Sequence, residues 1–257
     1  MKVGFIIVGR LKSTRLPLKL LMDLKGKKII EWVIDRAKSL KGISEVILCT
    51  SPNPQDFPLI EIALERQIYY FAGSEEDVLE RIYQASRMFS LDYLVGITGE
   101  NPLFCRYYAQ RVIDIARTGE YDYIKINGLP LGCAVYSVRF SALERIIRAK
   151  GDYTDTEIWG YFFDHPDVFK ICTIEVSEEV KRPHYRLTLD YPQDYKLLRI
   201  LFDNIPFEKL MDLSSVIEYI DENPSILEIN RYVQQRDISD EQRQRIEEIV
   251  NKVRNNL

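Results

Sequence analysis

Short, β-branched apolar runs alternate with amphipathic stretches through the first half of the chain. Val3–Val8, Glu45–Thr50, Ile68–Phe71, Tyr93–Thr98 and Tyr121–Ile126 each read as a strand. Between them, Ile29, Ile30, Trp32, Val33 and Ala37 mark one helical face, and Val78, Leu79, Ile82 and Ala85 mark another. Strands of this length separated by helices predict βαβ units: an α/β fold with a mostly parallel sheet. Right-handed crossovers then put helices on both faces of that sheet.

The second half is less regular. Asn127–Gly132 reads as a loop, Ala134–Val138 as a further strand and Ser141–Ala149 as a helix. Val168–Ile174 and Tyr185–Leu189 read as late strands. Asp190-Tyr191-Pro192 ends the second of these and opens a helix through Leu201, with Pro at a tolerated first-turn position. After Asn204-Ile205-Pro206 the composition shifts. Asp212–Ile220 reads as a helix, and Ser239 with Gln242 forms a capping box for a charged last helix, expected on the surface or at a dimer contact. The expected organisation is an α/β domain over 1–204 and a C-terminal helical extension over 205–257.

Composition narrows the function classes. A chain of 257 residues with 46% hydrophobic content buries one large α/β core. Its formal charge of −4 gives no global basic signature, so no nucleic-acid partner is expected. Any anionic ligand must then meet locally concentrated positive charge. Cys49, Cys105, Cys133 and Cys172 show neither CxxC nor metal-ligand spacing and point to a reducing cytoplasm. No apolar run reaches the about 18 residues that a membrane span needs. The apolar start runs straight into Arg10 and Lys12 and reads as a buried strand, not a signal peptide.

The local charge lies just after the first strand, in Gly9-Arg10-Leu11-Lys12-Ser13-Thr14-Arg15-Leu16-Pro17-Leu18-Lys19. Ligands of open parallel sheets bind beyond the carboxyl ends of the strands. Arg10, Lys12, Arg15 and Lys19, with two hydroxyls, suit a triphosphate. The loop matches neither GxxxxGK[ST] nor GxGxxG. On composition alone a solvated basic loop is an equal reading. Glu100 and Asp190 each follow an apolar run and are candidate Mg²⁺ ligands. A loop carboxylate and a helix N-cap are the competing roles for Glu100 and Asp190. Glu75, Glu76 and Asp77 equally suit a helix first turn, with Arg81 as their structural partner.

Ser13-Thr14-Arg15-Leu16-Pro17-x-Lys19 resembles the N-terminal signature of bacterial cytidylyltransferases that make CMP-activated sugar acids. The likeness is to the spore-coat-polysaccharide type, with the CMP-Kdo and CMP-acylneuraminate synthetases as cousins. It continues at Gly73–Arg81, at Thr98-Gly99-Glu100-Asn101-Pro102-Leu103, at Arg186–Asp194 and through 212–233. The resemblance implies a Rossmann-like fold, usually in a homodimer. It implies attack by an acceptor oxygen on the α-phosphorus of CTP, with Mg²⁺ as cofactor and pyrophosphate leaving. By the same resemblance Arg15 and Lys19 are the catalytic residues, and Arg10, Ser13, Arg15 and Lys19 hold the triphosphate, with Gly9 and Lys12 of the same loop as further nucleotide-binding residues. Gly73, Ser74, Asp77 and Thr98 then lie near base and ribose, and Glu100 and Asp190 bind the metal. The acceptor, an anionic sugar-like molecule for cell-surface polysaccharide, falls to Asn127, Glu157 and Arg186 around the loop 127–132 and the segment 153–157. His184 is a neighbour of that acceptor region, and His165, before Pro166, is structural.

The chain departs from the family pattern at three positions. Gly is common where Lys12 and Leu18 stand, and Asp where Glu100 stands. A Cβ restricts φ at the first two, and Glu is one methylene longer at the third. Two other readings stay open. A nucleotide-sugar-dependent glycosyltransferase has a similar sheet, but it often carries Asp-x-Asp, and the nearest sequence here is Glu75-Glu76-Asp77. An inactive nucleotide-binding scaffold fits the three departures.

Overall fold

A computed structural model describes residues 1–235 and 237–255. The chain runs β1 (Val3–Val8), a short hairpin of β2 (Asp23–Leu24) and β3 (Lys27–Lys28), α1 (Ile29–Lys38), β4 (Glu45–Thr50), α2 (Phe57–Glu65), β5 (Tyr69–Ala72), α3 (Val78–Met88), β6 (Tyr93–Thr98), α4 (Arg106–Ala116), β7 (Tyr123–Asn127), β8 (Tyr136–Arg139), α5 (Phe140–Lys150), β9 (Ile171–Glu175), α6 (Pro192–Asn204), α7 (Leu213–Glu222) and α8 (Asp240–Arg254).

Seven strands form one sheet in the order β5-β4-β1-β6-β8-β7-β9. Its ladders are parallel except those of β8, which runs antiparallel to both β6 and β7. Alternation along a strand sends neighbours to opposite faces. Phe5 and Ile7 of β1 therefore join one core, with α1, α4, α6 and α7. Ile6 and Val8 join the other, with α3, α5 and α8. Both faces are covered, which is why β1 reads as an unbroken apolar run.

The C-terminal helices divide between these layers. Val216, Ile217 and Ile220 of α7 enter the first core. Ile246, Ile249, Val250 and Val253 of α8 are buried in the second, against α5. The charged last helix thus buries its apolar stripe on its own chain. No helix among the described residues is long and apolar enough to cross a membrane.

One expected element is absent. The segment 185–189 forms no strand. It holds an isolated bridge to the loop at Leu131, through Leu131 N–H to the Tyr185 carbonyl at 2.8 Å and Leu187 N–H to the Leu131 carbonyl at 2.9 Å. Gly128 and Gly132 flank that loop at φ 98° and 90°, so it offers no extended partner for a ladder. Leu187 and Leu189 are buried nonetheless, and they carry Asp190 to the rim of the sheet.

Candidate active site

The strand order reverses at β1: β4 and β5 lie to one side, and β6 starts the other. The register pairs Val8 with Thr98, so both strands end on one rim. A cavity of about 600 Å³ opens there, the switch-point position where open α/β sheets bind ligands.

The loop leaving β1 is pinned at its base. Gly9 N–H donates to the Cys49 carbonyl at 3.0 Å, and Leu11 N–H to the buried Asp56 carboxylate at 2.6 Å. A Cβ on Gly9 would stand 2.9 Å from Leu20, so glycine lets the loop cross the strand end closely. Beyond the anchor, Arg10, Lys12, Ser13, Arg15 and Lys19 line the cavity, with Gly9 at its floor. Arg10 donates to the Glu75 carbonyl at 2.8 Å and lies 3.6 Å from Glu157. Lys12 reaches Glu75 at 3.0 Å and Glu76 at 3.7 Å. The hydrogen bond that Lys12 donates to the Glu75 carboxylate raises its ammonium above the ordinary value.

Arg15 and Lys19 converge on Asp190, at 3.1 and 2.8 Å. Lys19 is also 3.8 Å from Glu100. Arg186 approaches Asp190 from behind at 3.1 Å, while Asp194 grips the same guanidinium at 2.9 and 3.0 Å. Burial alone would raise the Asp190 carboxyl, but Lys19, Arg15 and Arg186 outweigh it and hold the group below the usual range. Asp190 is not a helix cap. Tyr191 is the N-cap of α6, and Asp194 accepts from the backbone N–H of both Asp190 and Tyr191 at 3.0 Å. That arrangement leaves the Asp190 carboxylate to the cations.

Glu100 and Asp190 come together through the backbone as well, since Leu189 N–H donates to the Glu100 carbonyl at 3.1 Å. Two carboxylates within ion-pair range of one ammonium form a hard-oxygen pair. They fit Mg²⁺ when phosphate oxygens complete the shell. Among the described residues no third His, Cys, Asp or Glu joins them.

The cavity then extends toward β8 and β7. Its far half is walled by Tyr123, Tyr136 and Trp159, the last two packed edge to face at 5.3 Å. Lys125 sits at this end, paired with Asp164 at 2.6 and 2.7 Å. The segment carrying Glu157 and Trp159 is fastened at the N-terminus of α3. Asp77 caps that helix through Glu80 N–H at 3.0 Å and accepts from Thr156 at 2.8 Å. Lys150, buried, ion-pairs with Asp77 and bonds the Gly151 and Tyr153 carbonyls at 3.2 and 3.0 Å.

Thr98, Glu100, Glu157 and Asp190 line the cavity as the sequence suggests. Asp77 does not: it is buried in the Lys150–Thr156 cluster and works as a cap. Gly73 and Ser74 also stand off the wall, and the Ser74 hydroxyl accepts from Asp77 N–H at 3.1 Å. Glu76, Val78 and Arg81 take their place. Arg81 bonds the Ser74 carbonyl at 2.6 Å rather than a nearby carboxylate. Asn127 points away, to Glu175 at 2.9 Å, and Arg186 lies behind Asp190 rather than on the wall. His165 meets the Tyr161 carbonyl at 3.1 Å, and His184 packs edge to face on Tyr185, both outside the cavity. Asn101, Lys125, Tyr136, Trp159 and Asp164 escaped sequence reasoning. Asn101 lies within Thr98–Leu103, whereas the others carry no spacing signal.

Comparison with known proteins bears on this geometry. The cytidylyltransferase family profile matches residues 4–238. An uncharacterized protein of Methanocaldococcus jannaschii is 33% identical over 240 residues, spanning 92% of this chain and 97% of its own. The spore coat polysaccharide biosynthesis protein SpsF of Bacillus subtilis is 26% identical over 230 residues, spanning 86% and 94%. A solved cytidylyltransferase from Leptospira borgpetersenii superposes with a TM-score of 0.80 at 26% identity, covering 93% of this chain and 99% of that one. With its switch-point cavity and the cations of one loop gathered on it, this chain belongs to the cytidylyltransferase family and is a nucleotidyltransferase.

Proposed function

We propose that the protein transfers CMP from CTP to a hydroxyl of an anionic sugar-like acceptor, a sugar acid, releasing pyrophosphate. The observation that carries this reading is the convergence of Arg15, Lys19, Glu100 and Asp190 at the β1–β6 rim, beside a second half-cavity walled by aromatic rings. In this reading a hydroxyl oxygen of the acceptor bonds to the α-phosphorus and gives up its proton to solvent, while the bond from that phosphorus to the pyrophosphate oxygen breaks and the pyrophosphate leaves with the bonding pair. Charge develops on phosphate oxygens, so positioned cations do most of the work. Arg10, Lys12 and Ser13 hold the triphosphate, with Gly9 giving it close approach. Arg15 and Lys19 neutralise the leaving pyrophosphate. Mg²⁺, held by Glu100 and Asp190 with phosphate oxygens, would act as a Lewis acid on the phosphates. Lys125 receives the carboxylate of the acceptor in exchange for Asp164, and Tyr136 and Trp159 face its ring.

The name of the Bacillus subtilis relative supports cell-surface polysaccharide as the destination of the product. A cytoplasmic homodimer is the form expected for this activity. The test is pyrophosphate release from CTP, UTP, ATP and GTP, each with Mg²⁺ and a panel of 3-deoxy sugar acids. Release selective for CTP and dependent on a sugar acid is expected. Binding of CTP without turnover on any acceptor overturns the transfer. A parallel melting series reports binding itself, since a ligand at a hundredfold excess over its dissociation constant adds about 2.7 kcal/mol.

A further inference from the structure

The two carboxylates that fit a divalent ion are already bridged by a cation of the chain itself. Lys19 Nζ is 2.8 Å from Asp190 and 3.8 Å from Glu100, and both Lys19 and Asp190 are more than nine-tenths buried. Arg15 and Arg186 add two further positive charges to Asp190. Without a nucleotide, then, Asp190 already meets three cations, of which Arg186 has a further carboxylate, Asp194, to itself, and the ammonium of Lys19 stands where a metal ion would meet Asp190 and Glu100. Nor do the described residues offer that ion a third acidic or imidazole ligand.

The three cations are not equally tied. Arg186 is gripped by Asp194 through two hydrogen bonds and by Gln235 through a third, at 2.6 Å, so it stays in place. Lys19 is a compact charge on a flexible four-carbon stem, and it opens a short 3-10 turn over Lys19–Leu21 beside the cavity. A triphosphate in the cavity offers anionic oxygens to that ammonium. The exchange strips Lys19 from the carboxylates and supplies the missing oxygens in one event.

We infer that Lys19 is a resident placeholder for the metal, so that Glu100 and Asp190 accept a divalent cation only after a nucleoside triphosphate has drawn Lys19 away. This rests on the reading of the cavity as a nucleotide site. It adds an order of assembly: nucleotide and ion enter together, and the ion does not precede the nucleotide.

The experiment is a Mn²⁺ titration followed by the electron paramagnetic resonance of the free ion, on the whole chain. Wild type alone leaves Mn²⁺ free, and wild type with CTP takes up more of it than the same CTP without protein. Lys19→Met without nucleotide binds Mn²⁺ at least about tenfold more tightly than wild type without nucleotide, and adding Glu100→Gln removes the gain. Lys19→Gln serves if the Met variant fails to fold. Wild type that binds Mn²⁺ alone through Glu100 overturns the inference, as does a folded Lys19 variant with no gain. Failure of CTP to bind any form instead overturns the nucleotide reading, and the nucleotide-free contrast between wild type and variant still decides the role of Lys19.

Discussion

The two halves of the cavity are built in opposite ways. The half at the end of β1 takes its cations from one loop of eleven residues, 9–19, each carrying a charge that its sequence neighbours do not need. The half at β7 and β8 is assembled from Tyr123 and Lys125, Tyr136, Trp159 and Asp164, residues spread over three separate segments. The first half is a local device anchored by Asp56 and Gly9. The second depends on long-range packing and on the buried Asp77–Lys150–Thr156 cluster that fixes the chain just before Trp159. Phosphate chemistry is common to all nucleotidyl transfers and suits the local device. Acceptor choice varies, and in the proposed function it falls to the assembled half.

Asp190 tests the first half most severely. Asp190→Ala leaves Lys19 and Arg186 in a buried place without their shared counter-charge, and loss of one partner of a buried pair costs about 3–5 kcal/mol. Denaturant unfolding checks it. The pH dependence follows from the same contacts. Because the folded carboxyl titrates below its unfolded value of 3.8, its contribution is fully present above that value and is lost as pH falls through the lower, folded one. The stability gap between wild type and Asp190→Asn should therefore hold steady from neutral pH to about pH 5 and close below pH 4. A gap that closes between pH 7 and 5 contradicts the geometry.

Arg15 separates chemistry from stability. Its side chain is one-third exposed, so Arg15→Ala should unfold little earlier than wild type. Removal of one preorganised charge donor at a transition state costs about 10²–10³ in kcat, and pyrophosphate release is the assay. Lys125 asks the same of the other half. Lys125→Met should raise the acceptor KM about tenfold, or about 1.4 kcal/mol, with CTP affinity unchanged. A change in CTP affinity would show that the halves are not independent.

This difference also explains what was legible in the sequence. The strands β1, β4 and β6 are buried on both faces and announce themselves as unbroken apolar runs. The loop 9–19 shows its charge within a short window, and its cations line the cavity. Asp190 stands out in the sequence because it follows apolar Leu187 and Leu189, which deliver it to the rim although no strand forms there. Asp77 was misplaced because a helix N-cap and a ligand carboxylate look alike in sequence, and only Lys150, seventy-three residues away, distinguishes them. Asn127 sat at the end of the right strand, but its side chain took Glu175 on the edge strand β9. Trp159 and Tyr136 gave no signal, because an aromatic residue that walls a cavity has the same local pattern as one that fills a core.

The mildest change bears on how the local half is held. Leu18 stands at φ 56° and ψ 22°, the left-handed region, immediately before Lys19, where the family commonly has Gly. For a residue with a Cβ that conformation costs about 1–2 kcal/mol. Leu18 is half exposed, so its removal forfeits little buried surface. Glycine relieves the strain but loses about 0.5–1 kcal/mol to chain entropy. Leu18→Gly should thus stabilise the protein by no more than about 1 kcal/mol, read from denaturant midpoints at constant slope. The hydrogen bond from Leu21 N–H to the Leu18 carbonyl, at 2.8 Å, involves only backbone and survives the change. Lys19 therefore keeps its place on Asp190, and turnover should match wild type. A more stable but slower variant would mean that the strained Leu18 aims Lys19, and that the local half is less self-sufficient than its single loop suggests.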